Sequence, residues 1–431
     1  MAESKLYFYK GEEEVLQNLK DKTEENTEVV LLKKIQDSFN KVLDGKNLSL
    51  LLGSGCSSYQ ILKEKKDEDE DEDDTWEEVG IHTMAPLAKK FYGNILNEDE
   101  RKWLKEKIKL DIDSKIFKDN LETFLGSLHS LIFFYETTNQ SEIAECKKVK
   151  KIIEKARDFL LEQCLNEANR KNESDIGLVN LYKMFYRKLL YRNSNLPKPS
   201  IFTTNYDLYS EIALDSLGIH YVNGFSGGIK KYFNPTIFNY ALAEKMDLSQ
   251  GKWSVIDNFI YLYKIHGSIN WVQDEEQTKL FKVREIQETS FENLRKNDII
   301  MIHPTPLKQN ASMGSPYSDL FREFQKRLMR NNNILITLGY SFSDEHINNL
   351  IYQAFTIPSF RLIVFGDFVK SDEIKKLKKL NDPRIWVVGG KLENGDSLHY
   401  FKGFVEQILP DLSNDEIDDK IDNAIKTLFP R

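Results

Sequence analysis

Three short stretches carry the residue types best suited to chemistry. The first is Gly53-Ser54-Gly55-Cys56-Ser57, directly after the apolar-rich run 48–52. Two glycines without side chains let a backbone come close to a phosphate, and Cys56-Ser57-Ser58 can open a helix whose free N–H groups favour an anion. A third glycine would complete a dinucleotide fingerprint, but Ser58 stands in its place, so the motif also reads as a plain tight turn. The second stretch is Thr203-Thr204-Asn205-Tyr206-Asp207, where Asn205 offers a polar amide and Asp207 a carboxylate. Their other reading is an Asx turn, with Asp207 capping the next helix. The third is His266-Gly267-Ser268 at the end of an apolar run, where an imidazole has room to meet a ligand as a general base or else is a structural histidine.

The remaining histidines, at 82, 129, 220, 303, 346 and 399, form no H-E-x-x-H and no paired metal spacing. Three cysteines, Cys56, Cys146 and Cys164, are too few for a four-cysteine zinc site and include no C-x-x-C, so reduced buried thiols and no metal are expected. There is no G-x-S-x-G elbow and no Gly-Lys-Ser/Thr after the glycine turn, which removes serine hydrolase and nucleoside triphosphatase chemistry.

These residues need a scaffold. Strands are expected at 48–52, 200–203, 259–265, 298–302, 334–338, 361–365 and 385–388, each running into a polar loop and several into a helix. Strands alternating with helices predict an α/β fold with a parallel, doubly wound, Rossmann-like sheet, whose ligands sit beyond the carboxyl ends of the strands. Leu320, Phe321, Phe324 and Leu328 mark one helix face, and Ser343 or Asp344 can cap a helix carrying Ile347, Leu350, Ile351 and Ala354. Before the first strand, 29–43 reads as a helix. From 86 to 195 glycine and proline nearly vanish and helical spacing dominates, as in Val149, Ile152, Ile153, Ala156, Phe159 and Leu160. The aromatic groups Phe133, Phe134, Tyr135 and Tyr182, Phe185, Tyr186 read as helix packing. The expected organisation is an N-terminal helical segment (1–47), a first strand with its glycine turn and an acidic loop (48–84), an all-helical insertion (85–197), the rest of the α/β domain (198–400) and C-terminal helices (401–431).

A chain of 431 residues exceeds one compact module, and its 30% charged residues with 40% hydrophobic ones describe a folded protein. The net charge of −8 equals the contribution of one run of eight carboxylates at 67–74, so the remainder is neutral and no general nucleic-acid surface is indicated. Such a run reads as a solvated loop, here close to the glycine turn. The absence of a signal-peptide core or a run of ~20 apolar residues predicts a cytoplasmic protein without a membrane span.

Taken in order, the three motifs resemble the signature of the sirtuin fold. With Leu338-Gly339-Tyr340-Ser341-Phe342-Ser343-Asp344 added, the chain is similar to the bacterial sirtuin-like proteins of anti-phage defence over about 48–58 and 198–390. That resemblance implies NAD as substrate and an NAD glycohydrolase activity. It implies Gly53, Ser54 and Gly55 near the pyrophosphate, Ser57 as a further cofactor-binding residue, Gly339 and Ser341 along the adenosine side, Asn205 and Asp207 at the nicotinamide ribose and amide region, and His266 as base. Asp367, at a strand end, is a candidate for the adenine ribose or a turn aspartate. The resemblance also implies a homo-oligomer and, in some systems, a hexameric HerA-type ATPase partner. Departures from the deacylase pattern are Thr204 in place of a glutamine, the acidic run where a Pro-Asp-Phe-Arg segment is expected, and the missing cysteines. An NAD-dependent protein deacylase and a non-catalytic NAD or ADP-ribose sensor are the alternatives.

Overall fold

The computed structural model describes residues 6–20, 27–62, 76–165, 177–193, 195–245, 253–256, 258–274, 282–296, 299–301 and 314–410. The acidic run at 67–74, the loop after 302 and the C-terminal segment from 411 lie outside the described residues.

Among the described residues nine strands form the main sheet: β1 (Tyr7–Lys10), β2 (Glu13–Glu14), β3 (Asn47–Leu52), β4 (Ser200–Thr203), β5 (His220–Val222), β6 (Phe259–Lys264), β7 (Asn333–Leu338), β8 (Arg361–Phe365) and β9 (Ile385–Gly389). Their order is β2-β1-β9-β8-β7-β3-β4-β6-β5, and every pair from β9 to β5 is parallel. The chain thus leaves the central β3 toward β4 and β6, then crosses back to β7 on its other side. A crevice opens at such a reversal, because the connections on either side of it run to opposite faces.

Period-two alternation explains how the sheet is held. Leu48, Leu50 and Leu52 of β3 face one core with Ile201, Ile336 and Leu338, while Leu51 faces the other with Phe202, Leu335 and Leu362. The first face is covered by α1 (Thr27–Leu43) through Leu31, Ile35 and Phe39. In the same core lies α4 (Leu178–Leu190), which follows α2 (Leu121–Thr137) and α3 (Ala144–Cys164) in the chain. After α5 (Tyr209–Ser216), the second face is covered by α6 (Tyr317–Leu328), α7 (Glu345–Ala354) and α8 (Asp372–Lys379). With both faces buried, the strands read as nearly continuous apolar runs.

Several expectations need correction. The glycine turn does not open a helix: Ser54–Cys56 is one 3-10 turn, and the chain continues as a strand, Ser58–Leu62, paired with Trp76–Gly80. Ser57 O accepts from Ile81 N at 2.8 Å, which sends the chain into this hairpin. After β6 the chain enters another strand, Gly267–Gln273, instead of a helix, and Ile299–Met301 pairs antiparallel with it. Both belong to a separate five-stranded antiparallel sheet. Short apolar runs do not distinguish a parallel from an antiparallel partner. The N-terminal segment is not helical alone, since β1 adds an antiparallel edge to β9. Tyr182, Phe185 and Tyr186 are buried as helix packing predicts, but Phe133 and Phe134 are each 54% exposed. The inserted helices carry their own core, built around Phe91, Phe124, Val149, Ile152 and Phe159. No helix among the described residues is long and apolar enough to cross a membrane.

Candidate functional site

The carboxyl ends of β3, β4, β6 and β7 deliver their loops to one cavity of about 550 Å³. Ser54, Ser57, Asn205, Asp207, His266, Gly339 and Ser341 all border it, so most of the expected residues meet in one place.

Three glycines let the loops after β3 and β7 meet. A Cβ on Gly53 would lie 2.4 Å from Gly339 O, and one on Gly339 would lie 2.6 Å from the carbonyl carbon of Gly55. Gly339 also has φ +59°, a region that side chains strain to occupy. Gly55 N donates to Gly339 O at 3.0 Å, and Gly53 N to Leu338 O at 2.9 Å. The missing side chains of Gly53 and Gly55 therefore make room for the β7 loop, and neither residue borders the cavity itself. Beneath them the buried Cys56 thiol lies 3.2 Å from Leu338 O, and burial pushes its pKa well up, with the Asp207 charge adding to the effect. Cys56, Cys146 and Cys164 are all buried and unbridged.

A directional chain of hydrogen bonds orients the polar groups. The Asn205 amide nitrogen donates to Gly53 O and to Ser57 Oγ, both at 2.9 Å. Ser57 Oγ in turn donates to Asp207 Oδ2 at 2.5 Å. A main-chain carbonyl only accepts, so Gly53 O fixes the amide with its nitrogen inward. Both amide hydrogens are then committed, and Oδ1 is left to receive a hydroxyl or water. Asp207 Oδ1 accepts from Tyr209 N at 3.1 Å, the Asx turn foreseen for it. With both oxygens bonded internally, Asp207 braces Ser57 and through it Asn205.

Under this loop, Lys264 at the end of β6 is paired with Glu211 of α5 at 3.0 Å, their side chains 1% and 9% exposed. The same ammonium donates to the carbonyl oxygens of Tyr206 and Asp207. Burial raises the Glu211 pKa, and Lys264 opposes that rise. The ion pair therefore clamps the segment that carries Asn205. Tyr206 also faces the cavity, and desolvation, reinforced first by the Glu122 charge, keeps its phenol protonated and a donor.

His266, 8% exposed, sits with Nε2 3.2 Å from Asp344 Oδ2. The other oxygen of Asp344 accepts from His346 N at 3.1 Å and Ile347 N at 3.4 Å, capping α7. An ionised carboxylate only accepts, so the neutral imidazole takes the tautomer with its proton on Nε2 and its lone pair on Nδ1. Sequence reading placed Asp344 as a cap and missed this second role.

Other features were also missed. The helices between 84 and 164 line one side of the cavity with Leu87, Leu121, Glu122, Thr123, Leu160 and Gln163, a long-range docking for which no local sequence signal exists. His82 borders it too, its Nδ1 3.0 Å from Glu78 Oε2. Asp367 does not border it: its Oδ1 accepts from Val369 N at 2.9 Å and Lys370 N at 3.2 Å, a turn at the end of β8. Among the described residues no group of three or more His, Cys, Asp or Glu could hold a metal.

A comparison with curated proteins gives no match. Residues 199–359 match the family described as the SIR2-like domain, a similarity that covers β4 through α7 and supports a sirtuin-like relationship for this chain.

Proposed function

We propose that the chain is an NAD glycohydrolase that cleaves NAD to nicotinamide and ADP-ribose. The SIR2-like match is compatible with NAD-related activity, and the observation that carries the finer reading is the single cavity that both Asn205 and His266 border. Its volume falls within the ~300–1,000 Å³ of small-molecule sites. Ser54, Ser341, Ser343 and the backbone at Gly339 border it, and no lysine or arginine does among the described residues. A diphosphate would be met by hydroxyl and N–H dipoles, while Glu122, Asp207 and Asp344 favour the positively charged nicotinamide end.

In this reading Asn205 Oδ1 holds the attacking water or a ribose hydroxyl against the reacting carbon. The water oxygen bonds to C1′ as the C1′–N bond breaks, its electron pair leaving with nicotinamide, and His266 Nδ1 takes the water proton. Asp344 keeps the imidazole in the required tautomer and stabilises it once charged. A role in anti-phage defence, self-assembly and a hexameric HerA-type ATPase partner belong to the same proposal and rest on the sequence resemblance; cytoplasmic residence belongs to it too, on the sequence expectation of a protein without a membrane span.

The test is incubation of purified protein with NAD, with and without an acyl-lysine peptide, following nicotinamide and ADP-ribose. Release without peptide supports hydrolysis. Release only with peptide identifies a deacylase, and binding without release identifies a sensor.

A further inference from the structure

A second cavity, of about 420 Å³, lies at the opposite edge of the sheet, where β1 ends and β8 and β9 begin. It is bordered by Lys10, Lys34, Lys41 and Arg361 and by one carboxylate, Glu13. In a chain whose net charge is −8, this local excess of cations is unusual.

Three elements build it. Lys34, Ser38 and Lys41 are spaced i, i+4 and i+7 on α1, so they share one face, alongside the buried stripe of Leu31, Ile35 and Phe39. Lys10 ends β1 opposite Trp386 of β9, and its ammonium lies 4.3 Å from the Trp386 ring centroid and 4.9 Å from that of Phe8. Arg361 opens β8, with its guanidinium carbon 4.8 Å from the same indole. The indole thus locates both cations. No ion pair joins any of the four to a carboxylate among the described residues, and Arg361 Nε is buried without an acceptor. Burial lowers the Lys10 pKa; Glu13 opposes this, while Arg361, Lys34 and Lys41 reinforce it.

We infer that this cavity is a second anion site, which takes a small diphosphate-bearing molecule. Four mutually repelling cations gain most from a ligand with several charges, and the forked guanidinium matches phosphoryl oxygens. Since Lys10 and Arg361 already lie against Trp386, the ring offers no platform for a base. The diphosphate is recognised, and the group attached to it is not. The site is independent of the NAD reading, since it lies at the amino ends of the strands and shares no residue with the first cavity.

Calorimetric titration with inorganic pyrophosphate, ADP and adenosine tests this, on the parent and on Lys34→Glu/Lys41→Glu, whose sites are exposed and outside the core. Pyrophosphate and ADP are expected to bind with similar affinity and adenosine not at all. The double variant should weaken both by about tenfold or more, and added salt should weaken the parent. The inference is overturned by absence of saturable pyrophosphate binding or by equal affinity in the double variant.

Discussion

His266 and Asp344 come from strands on opposite sides of β3, yet their side chains meet at 3.2 Å across the mouth of the crevice. One carboxylate both caps α7 and holds the imidazole, so helix and base are positioned together. Asp344→Asn separates the two roles, because asparagine is an equally good cap but supplies no charge. Turnover of NAD should fall by about 10² or more with KM and melting temperature nearly unchanged. Steady-state kinetics beside a thermal melt checks this; full activity in the variant would make the contact incidental.

The buried Lys264–Glu211 pair predicts a split between stability and activity. Lys264→Met leaves the Glu211 carboxylate without its cation and should cost about 3–5 kcal/mol, read from the urea midpoint. Adding Glu211→Leu should restore most of that stability. Turnover should stay low even then, because Lys264 also holds the carbonyls of Tyr206 and Asp207. A double variant that recovers stability and activity together would show that the lysine does not position Asn205.

Gly339→Ala places a methyl group 2.6 Å from the Gly55 backbone at a positive φ. Strain of this kind is worth on the order of 1–3 kcal/mol, and relief by moving either loop would displace Ser54 and Ser341. We expect a lower melting temperature and a raised KM for NAD. Gly93→Ala, whose new methyl meets nothing within 4 Å beyond its own helix backbone and chain neighbours, is the unstrained control.

His399 governs part of the acid response. Burial lowers its pKa to about 4 from an ordinary 6.5, Asp367 partly opposing. Between these values the unfolded chain binds the proton and the folded chain does not, so stability falls as pH drops from about 6.5 toward 4. The loss is at most ~3 kcal/mol. His399→Gln should flatten the denaturation midpoint across that window, and an unchanged slope would place the sensitivity elsewhere.

Much of this was legible because the central strands are apolar on both faces. Ser200–Thr203 and Arg361–Phe365 appear where the sequence puts them, and the loop after the first is polar because it faces the crevice. Asn205 and His266 were readable as strand-end residues for the same reason. What sequence pattern could not supply is long-range. Ser58 and Tyr59 suit either a helix start or a strand, and only the pairing with Val79 and Gly80 decides it. Helical spacing gives Phe133 and Phe134 a face without saying whether another element covers it. Nothing local in Glu122 or Gln163 announces that the inserted helices complete the cavity wall.

The central claim is that Asn205 and His266 act on NAD within one cavity. It is tested most directly by measuring nicotinamide release from NAD, without any peptide, by the parent, Asn205→Ala and His266→Ala. Release by the parent is expected, with a loss of at least ~100-fold in each folded variant and a smaller loss of NAD affinity for Asn205→Ala. Parent protein that releases no nicotinamide without an acyl-peptide, or variants that turn NAD over at the parental rate, would contradict it.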